Sequence, residues 1–323
     1  MPRLVPQFFP KQSFSDLTAA TVPLIQFLTK NHPTIDGPGW HIVEAYDGTN
    51  REVPSDPTDL DSFTSGFGWR NDVASVPLNA WIVLQSNRAA GNQFQAYFEL
   101  DTTSNMHVLL FPDGDWTTGA GTDTNPTLPT KAIGQLTNAY ASTVTDSVDL
   151  TGFTSSAEYT VIADHSVAIF LFDDTSPTGV NWLYIGEIDY VRGIDTRPYV
   201  LHHDDFDVHV DLSGNPTWAM ADPLAGDFRL GWWIYLASNQ ATSQAVQLDD
   251  GSTNFLGNRK NTPVGIFLEN GATAGFRGIL RHVFGGENNA GSSITLDGRS
   301  FFLRNDADGS SEGIVFTWDR TTA

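Results

Sequence analysis

From Gly39 to the C-terminus, apolar residues recur at alternate positions in short runs, and glycine, proline, asparagine or aspartate closes each run. A period of two puts one face of an extended chain against a core and the other toward water. Trp81 to Leu84, Phe94 to Leu100, Met106 to Phe111, Tyr159 to Ala163, Ser166 to Phe172 and Trp182 to Tyr190 read as strands on this pattern. Tyr199 to His203, Phe206 to Leu212, Gly231 to Leu236, Val264 to Leu268, Phe276 to Val283, Phe301 to Asn305 and Ile314 to Trp318 continue it. Turn signals about every ten residues suit a β-sandwich or barrel.

The composition supports the same reading. Among 323 residues there are 29 glycines and 17 prolines, and the acidic side chains comprise 30 Asp but only 8 Glu, with four Lys. Aspartate favours turns and caps, whereas Glu and Lys favour helix interiors. Only one helix is expected, over residues 22–30, with Thr21 as its cap, Pro23 near the first turn and Leu24, Ile25, Phe27 and Leu28 on one face. Ahead of it, Pro2, Pro6 and Pro10 block helix, so residues 1–12 read as an extended arm. Phe8 and Phe9 on that arm are expected to contact a partner.

The fold class expected is all-β, with two antiparallel β-sandwich or barrel modules, an N-terminal extended arm and one short helix. The first module covers residues 13–125 and the second 140–323, with a linker at 126–139 inside a Gly-, Pro- and Thr-rich stretch that runs from 112 to 148. The segments FQAYFEL and MHVLLF read as one hairpin, and the strands flanking Asp164-His165 as another.

A net charge of −21 repels phosphate backbones and anionic lipid, so neither nucleic acid nor a membrane is an expected partner. With no cysteine, the chain has neither a disulfide nor a thiolate nucleophile. No apolar run reaches about 18 residues, and the proline-broken N-terminus does not read as a signal peptide. Synthesis in a host cytoplasm without secretion is expected.

The sequence lacks G-x-S-x-G, the phosphate-binding G-x-x-x-x-G-K-[ST], H-E-x-x-H and G-x-G-x-x-G. No catalytic residue and no cofactor is assigned. The richest polar cluster is LHHDDFDVHVDL, where alternation places His203, Asp205, Asp207, His209 and Asp211 on one face. Imidazole and carboxylate at that spacing are candidate ligands for a divalent ion, but a solvated face in which histidine relieves aspartate repulsion is the preferred reading, and no metal is assigned. Asn305 to Glu312 places oxygen donors before Gly309 but lacks the spacing of a calcium-binding loop, so it reads as a turn. Trp182, Trp232 and Trp233 offer aromatic surface, as core, as subunit interface or as a sugar platform.

The order of segments resembles that of a group of virion structural proteins of tailed bacteriophages. The N-terminal half carries GWHIVEAYDGT, NAWIVLQS, FQAYFEL and FPDGDW. The second half carries EYTVIADHSVAIFLF and NWLYIGEIDYVRGIDTRPYVL, similar to a phage hairpin of the type V-x-A-D followed by W-x-Y-x-G-x-x-D. FRGILRHVFGG, LDGRSFFLRN and GIVFTWD echo the closing strands, so the resemblance spans residues 13–320. It implies a non-enzymatic building block of the virion, in capsid, neck or tail, that assembles with copies of itself and with other particle proteins. Phe8, Phe9, Trp232 and Trp233 are then the expected interface residues. The alternative is a tail-associated protein that binds or cleaves a host glycan.

Overall fold

A computed structural model describes residues 6–87, 93–100, 105–111, 114–128, 147–149, 158–173, 180–190, 199–203, 219–220, 228–232, 262–268, 275–287, 293–296, 299–305 and 312–318. The fold is all-β with one α-helix among the described residues, and every strand pair is antiparallel. The chain opens with β1 (Gln7–Ser13) and α1 (Leu17–Leu28). The first sheet then forms from β2 (His41–Tyr46), β3 (Arg51–Glu52), β4 (Trp81–Gln85), β5 (Gln95–Leu100), β6 (Asn105–Phe111) and β7 (Ser147–Asp149), in the order β3-β2-β4-β5-β6-β7.

The second sheet takes β8 (Glu158–Ala163), β9 (Val167–Asp173) and β10 (Val180–Gly186). After β11 (Ile188–Tyr190), which pairs elsewhere, it adds β12 (Tyr199–His203) and β13 (Ala219–Met220). Its order is β1-β8-β9-β10-β12-β13. The third sheet contains β14 (Phe228–Trp232), β15 (Thr262–Leu268), β16 (Gly275–Glu287), β17 (Ser293–Leu296), β18 (Arg299–Asn305) and β19 (Glu312–Trp318). Here the order is β14-β15-β16-β19-β18-β17, with β11 paired to β16. Both expected hairpins form, β5 with β6 and β8 with β9.

The helix starts five residues earlier than expected. Asp16, not Thr21, is the N-cap, its carboxylate accepting from the Ala19 amide at 3.1 Å. Thr21 lies inside the helix and donates its hydroxyl proton to Leu17 O at 2.7 Å. Pro23 is also internal. Packing compensates for the proline, because Leu24, Ile25, Phe27 and Leu28 are all buried.

The arm also departs from expectation. β1 is the edge strand of the second sheet, pairing Phe8 with Ile162 and Phe9 with Val161. Phe9 is fully buried and meets the Phe27 and His32 rings edge-on, each with centroids 5.5 Å apart. The partner of Phe9 is thus the chain itself. Phe8 is half-buried beside it.

Packing does not divide at the expected linker either. One hydrophobic cluster takes Leu24 and Phe27 from α1, Ile82, Leu84 and Phe98 from the first sheet, and Val161, Phe170 and Ile185 from the second. Phe98 and Phe170 meet edge-on across it, with centroids 6.1 Å apart. β7, drawn from beyond the expected linker, pairs with β6 of the first sheet. Period-two patterning states which face of a strand is buried and leaves open what covers it. Residues 129–146 lie outside the described part of the chain.

Candidate functional site

Two buried polar constellations stand out, one in the first sheet and one where the second sheet meets the third. The first begins with a bulge. β2 pairs Ile42 with Leu84 and then Glu44 with Val83, leaving Val43 as an extra residue. A bulge reverses the alternation, so Val43 and Glu44 share the outer face while Ile42 and Ala45 stay in the main core. Glu44 is thereby buried opposite the helix-covered face.

Arg51 of β3 meets it as a fork, Nε to Oε1 and Nη2 to Oε2, both at 2.8 Å. The side chains are 7% and 3% exposed, so this is an ion pair taken out of water, whose partners must be fully satisfied. Trp116 Nε1 donates to Glu44 Oε2 at 2.8 Å and the Gly119 amide donates to Oε1 at 3.0 Å. The guanidinium also donates to Ala120 O at 3.0 Å and lies 5.2 Å from the centre of the Trp81 ring. Tyr46, Trp81, Tyr97, Phe111 and Trp116 enclose the pair. Burial pushes the Tyr97 phenol well above its ordinary range, and the Glu99 charge adds to that shift. Residues 114–128 therefore fold over the outer face of the first sheet and are pinned there by charge.

The second constellation is centred on the β8–β9 turn. Asp164 Oδ1 accepts from the Ser166 amide at 2.6 Å, the Val167 amide at 2.9 Å and Ser166 Oγ at 3.0 Å. An aspartate that caps its own turn in this way defines a tight reversal. Its second oxygen lies 2.8 Å from His282 Nε2 of β16. Trp40 Nε1 donates to Asp164 O at 3.0 Å, bringing in the loop ahead of β2. Arg281 Nη1 reaches Ser166 Oγ at 2.7 Å and Glu187 Oε2 at 3.0 Å. Tyr184 donates its hydroxyl proton to Glu187 O and accepts from the Arg281 amide at 3.2 Å.

Burial works to raise the Asp164 pKa, but the His282 hydrogen bond and charge, the Ser166 amide and the His165 charge overcome it and bring the carboxyl down to about 2. Asp164 is therefore an anion held in place. Ser166, Asp164 and His282 are the residue types of a hydrolytic triad, wired in the wrong order. The histidine contacts the aspartate and not the serine, and the serine hydroxyl donates to Asp164 and accepts from Arg281, with no exposed surface. What this arrangement does is hold three segments together.

Of the residues singled out in the sequence, His203 ends β12 and pairs with Trp182 of β10, while Trp232 ends β14 and pairs with Val264. Asp205, Asp207, His209, Asp211 and Trp233 lie outside the described residues. Among the described residues no group of three or more His, Asp or Glu is placed to hold a metal ion, and no helix is long and apolar enough to cross a membrane. Sequence reasoning missed Glu44, Arg51, Glu187, Arg281 and His282. For Glu44, Arg281 and His282 the signal was a charged or polar residue inside an otherwise apolar strand, as in HIVEAY and GILRHVF; Arg51 and Glu187 carried none. Neither a protein-family model nor a curated protein matches this chain.

Proposed function

We propose that the protein is a non-enzymatic structural component of a tailed-bacteriophage particle, working by assembly with copies of itself and with other particle proteins. One observation carries the reading. Three of the second-half segments that carry the resemblance, EYTVIADHSVAIFLF, NWLYIGEIDYVRGIDTRPYVL and FRGILRHVFGG, supply Asp164 and Ser166, Tyr184 and Glu187, and Arg281 and His282. These residues meet in a single buried knot. Two of the motif positions that carry the resemblance, Asp164 of V-x-A-D and Tyr184 of W-x-Y-x-G-x-x-D, thus hold sheets in place, as a building block requires. A shared core closed by an N-terminal strand and by a pinned surface loop suits a subunit that carries load.

The test is size-exclusion chromatography with light scattering on the full chain, together with mass spectrometry of purified phage particles. The expected results are a defined oligomer or concentration-dependent association, and peptides of this chain in particles at stoichiometric level. A protein that stays monomeric at high concentration and is missing from particles would end the proposal.

A further inference from the structure

The knot joins its sheets through an irregular stretch of β16. In the β15–β16 pairing, Pro263 faces Phe284 and Gly265 faces Ile279, so residues 280–283 of β16 sit opposite Val264 alone. His282, inside this bulge, has φ of 61°, in the left-handed region that a β-carbon disfavours. Bulges re-aim side chains, and here Arg281 and His282 are both turned onto the second sheet. Arg281 takes Glu187 and Ser166, and His282 takes Asp164. Such a backbone conformation persists only where its surroundings hold it.

We propose that the pairs Asp164–His282 and Glu187–Arg281 act as an electrostatic latch, which seats the β16 bulge on the β8–β9 turn and can release the third sheet while the first stays folded. The latch is polar on both sides. The charged groups that face Asp164 are His282 from β16 and His165 from its own turn, the latter with Nδ1 3.8 Å from Oδ1, and Glu187 faces Arg281. The first sheet has different supports. Its faces are closed by α1 and by apolar side chains of the second sheet such as Val161 and Phe170 on one side, and by residues 114–128 on the other, and none of these is a member of the latch. Trp40 touches the turn only at the backbone oxygen of Asp164, a bond that does not depend on the carboxylate. Opening of β16 is therefore separable from opening of β4 and β5.

Hydrogen exchange read by mass spectrometry on the full chain tests this with His282→Asn. Asparagine tolerates positive φ but is too short to span to Asp164, so the variant removes the side-chain contact while sparing the backbone. Peptides covering 275–287 are expected to exchange about tenfold faster, with peptides covering 81–85 and 95–100 changed less than about twofold. Adding Asp164→Asn to that variant is expected to accelerate 275–287 by less than about twofold again, because the two residues act through one contact. Unchanged exchange at 275–287 would overturn the latch, as would equal acceleration in both regions. Should the double variant fail to fold, the single His282→Asn result still decides the matter.

Discussion

Glu44 and Arg51 are seven residues apart in the chain, whereas Asp164 and His282 are 118 apart, yet both pairs are buried and fixed by further hydrogen bonds. For a flexible chain, closing the longer loop costs about 2.5 kcal/mol more than closing the shorter. The nearer pair is brought together by the β2–β3 pairing that surrounds it, so it is as secure as that corner of the sheet. The distant pair depends on the second and third sheets arriving correctly before it can form. One constellation pins a surface loop locally; the other reports on the assembly of the whole chain.

The largest expected effect follows from breaking the local pair on one side. Glu44→Ala leaves the Arg51 guanidinium buried without its carboxylate and strips Trp116 and Gly119 of their acceptor. A loss of about 4 kcal/mol is expected from denaturant unfolding, whereas replacing both Glu44 and Arg51 with methionine should cost less than about 2 kcal/mol because no lone charge remains. Equal losses in the two variants would show that packing of the aromatic cage, and not the charge, sets the cost. The corresponding break in the distant constellation isolates its geometry.

Two glycines sharpen the contrast. Gly186 closes β10 with φ of 129°, and a β-carbon there would lie 2.2 Å from Ser166 O. That approach lets the Glu187 amide donate to Ser166 O at 3.1 Å, so Gly186→Ala should cost about 3 kcal/mol through clash and backbone strain together. Gly119 also has positive φ, 77°, but its β-carbon would meet nothing within 4 Å. Gly119→Ala should therefore cost only about 1 kcal/mol, the conformational term alone. A thermal or denaturant series on the two variants measures the difference, and a reversed order would mean that the surface loop, not the knot, is the tighter joint.

Much of the strand content was legible in the sequence, because short runs of β-branched and aromatic residues such as WIVLQ or VAIFLFD need no knowledge of the partner strand. The β8–β9 turn was legible too, since Asp164 caps it with its own side chain. The rest depends on contacts between distant segments. Nothing local says that the proline-rich arm adds to β8, so Phe9 read as a residue awaiting another molecule. The helix start was hidden because the Leu17 to Thr21 turn is poor in large apolar residues, and the capping role of Asp16 shows only in its bond to Ala19. Glu44 breaks the apolar pattern of its strand visibly, but the bulge at Val43 that gives it a purpose leaves no mark in one sequence. Arg281 and His282 likewise sit in an apolar run with no sign of the carboxylates that receive them.

Acid supplies the gentlest test, because it acts on the distant constellation without changing a residue. The Asp164 carboxyl is held at about 2 in the folded chain, against 3.8 for a free side chain, so the unfolded chain binds that proton more readily. The stability this provides is complete above pH 4 or so and is lost as pH falls through the folded value; it amounts to about 2 kcal/mol. Denaturant midpoints between pH 5 and 2 should fall more steeply in the native protein than in Asp164→Asn, whose amide has no proton to gain in that window. His282 and His165 face the anion, so protonating it removes the charge they meet in a buried place. Identical slopes for the two proteins would mean that Asp164 holds its turn as a neutral group and that the knot is tied by Glu187 and Arg281 instead.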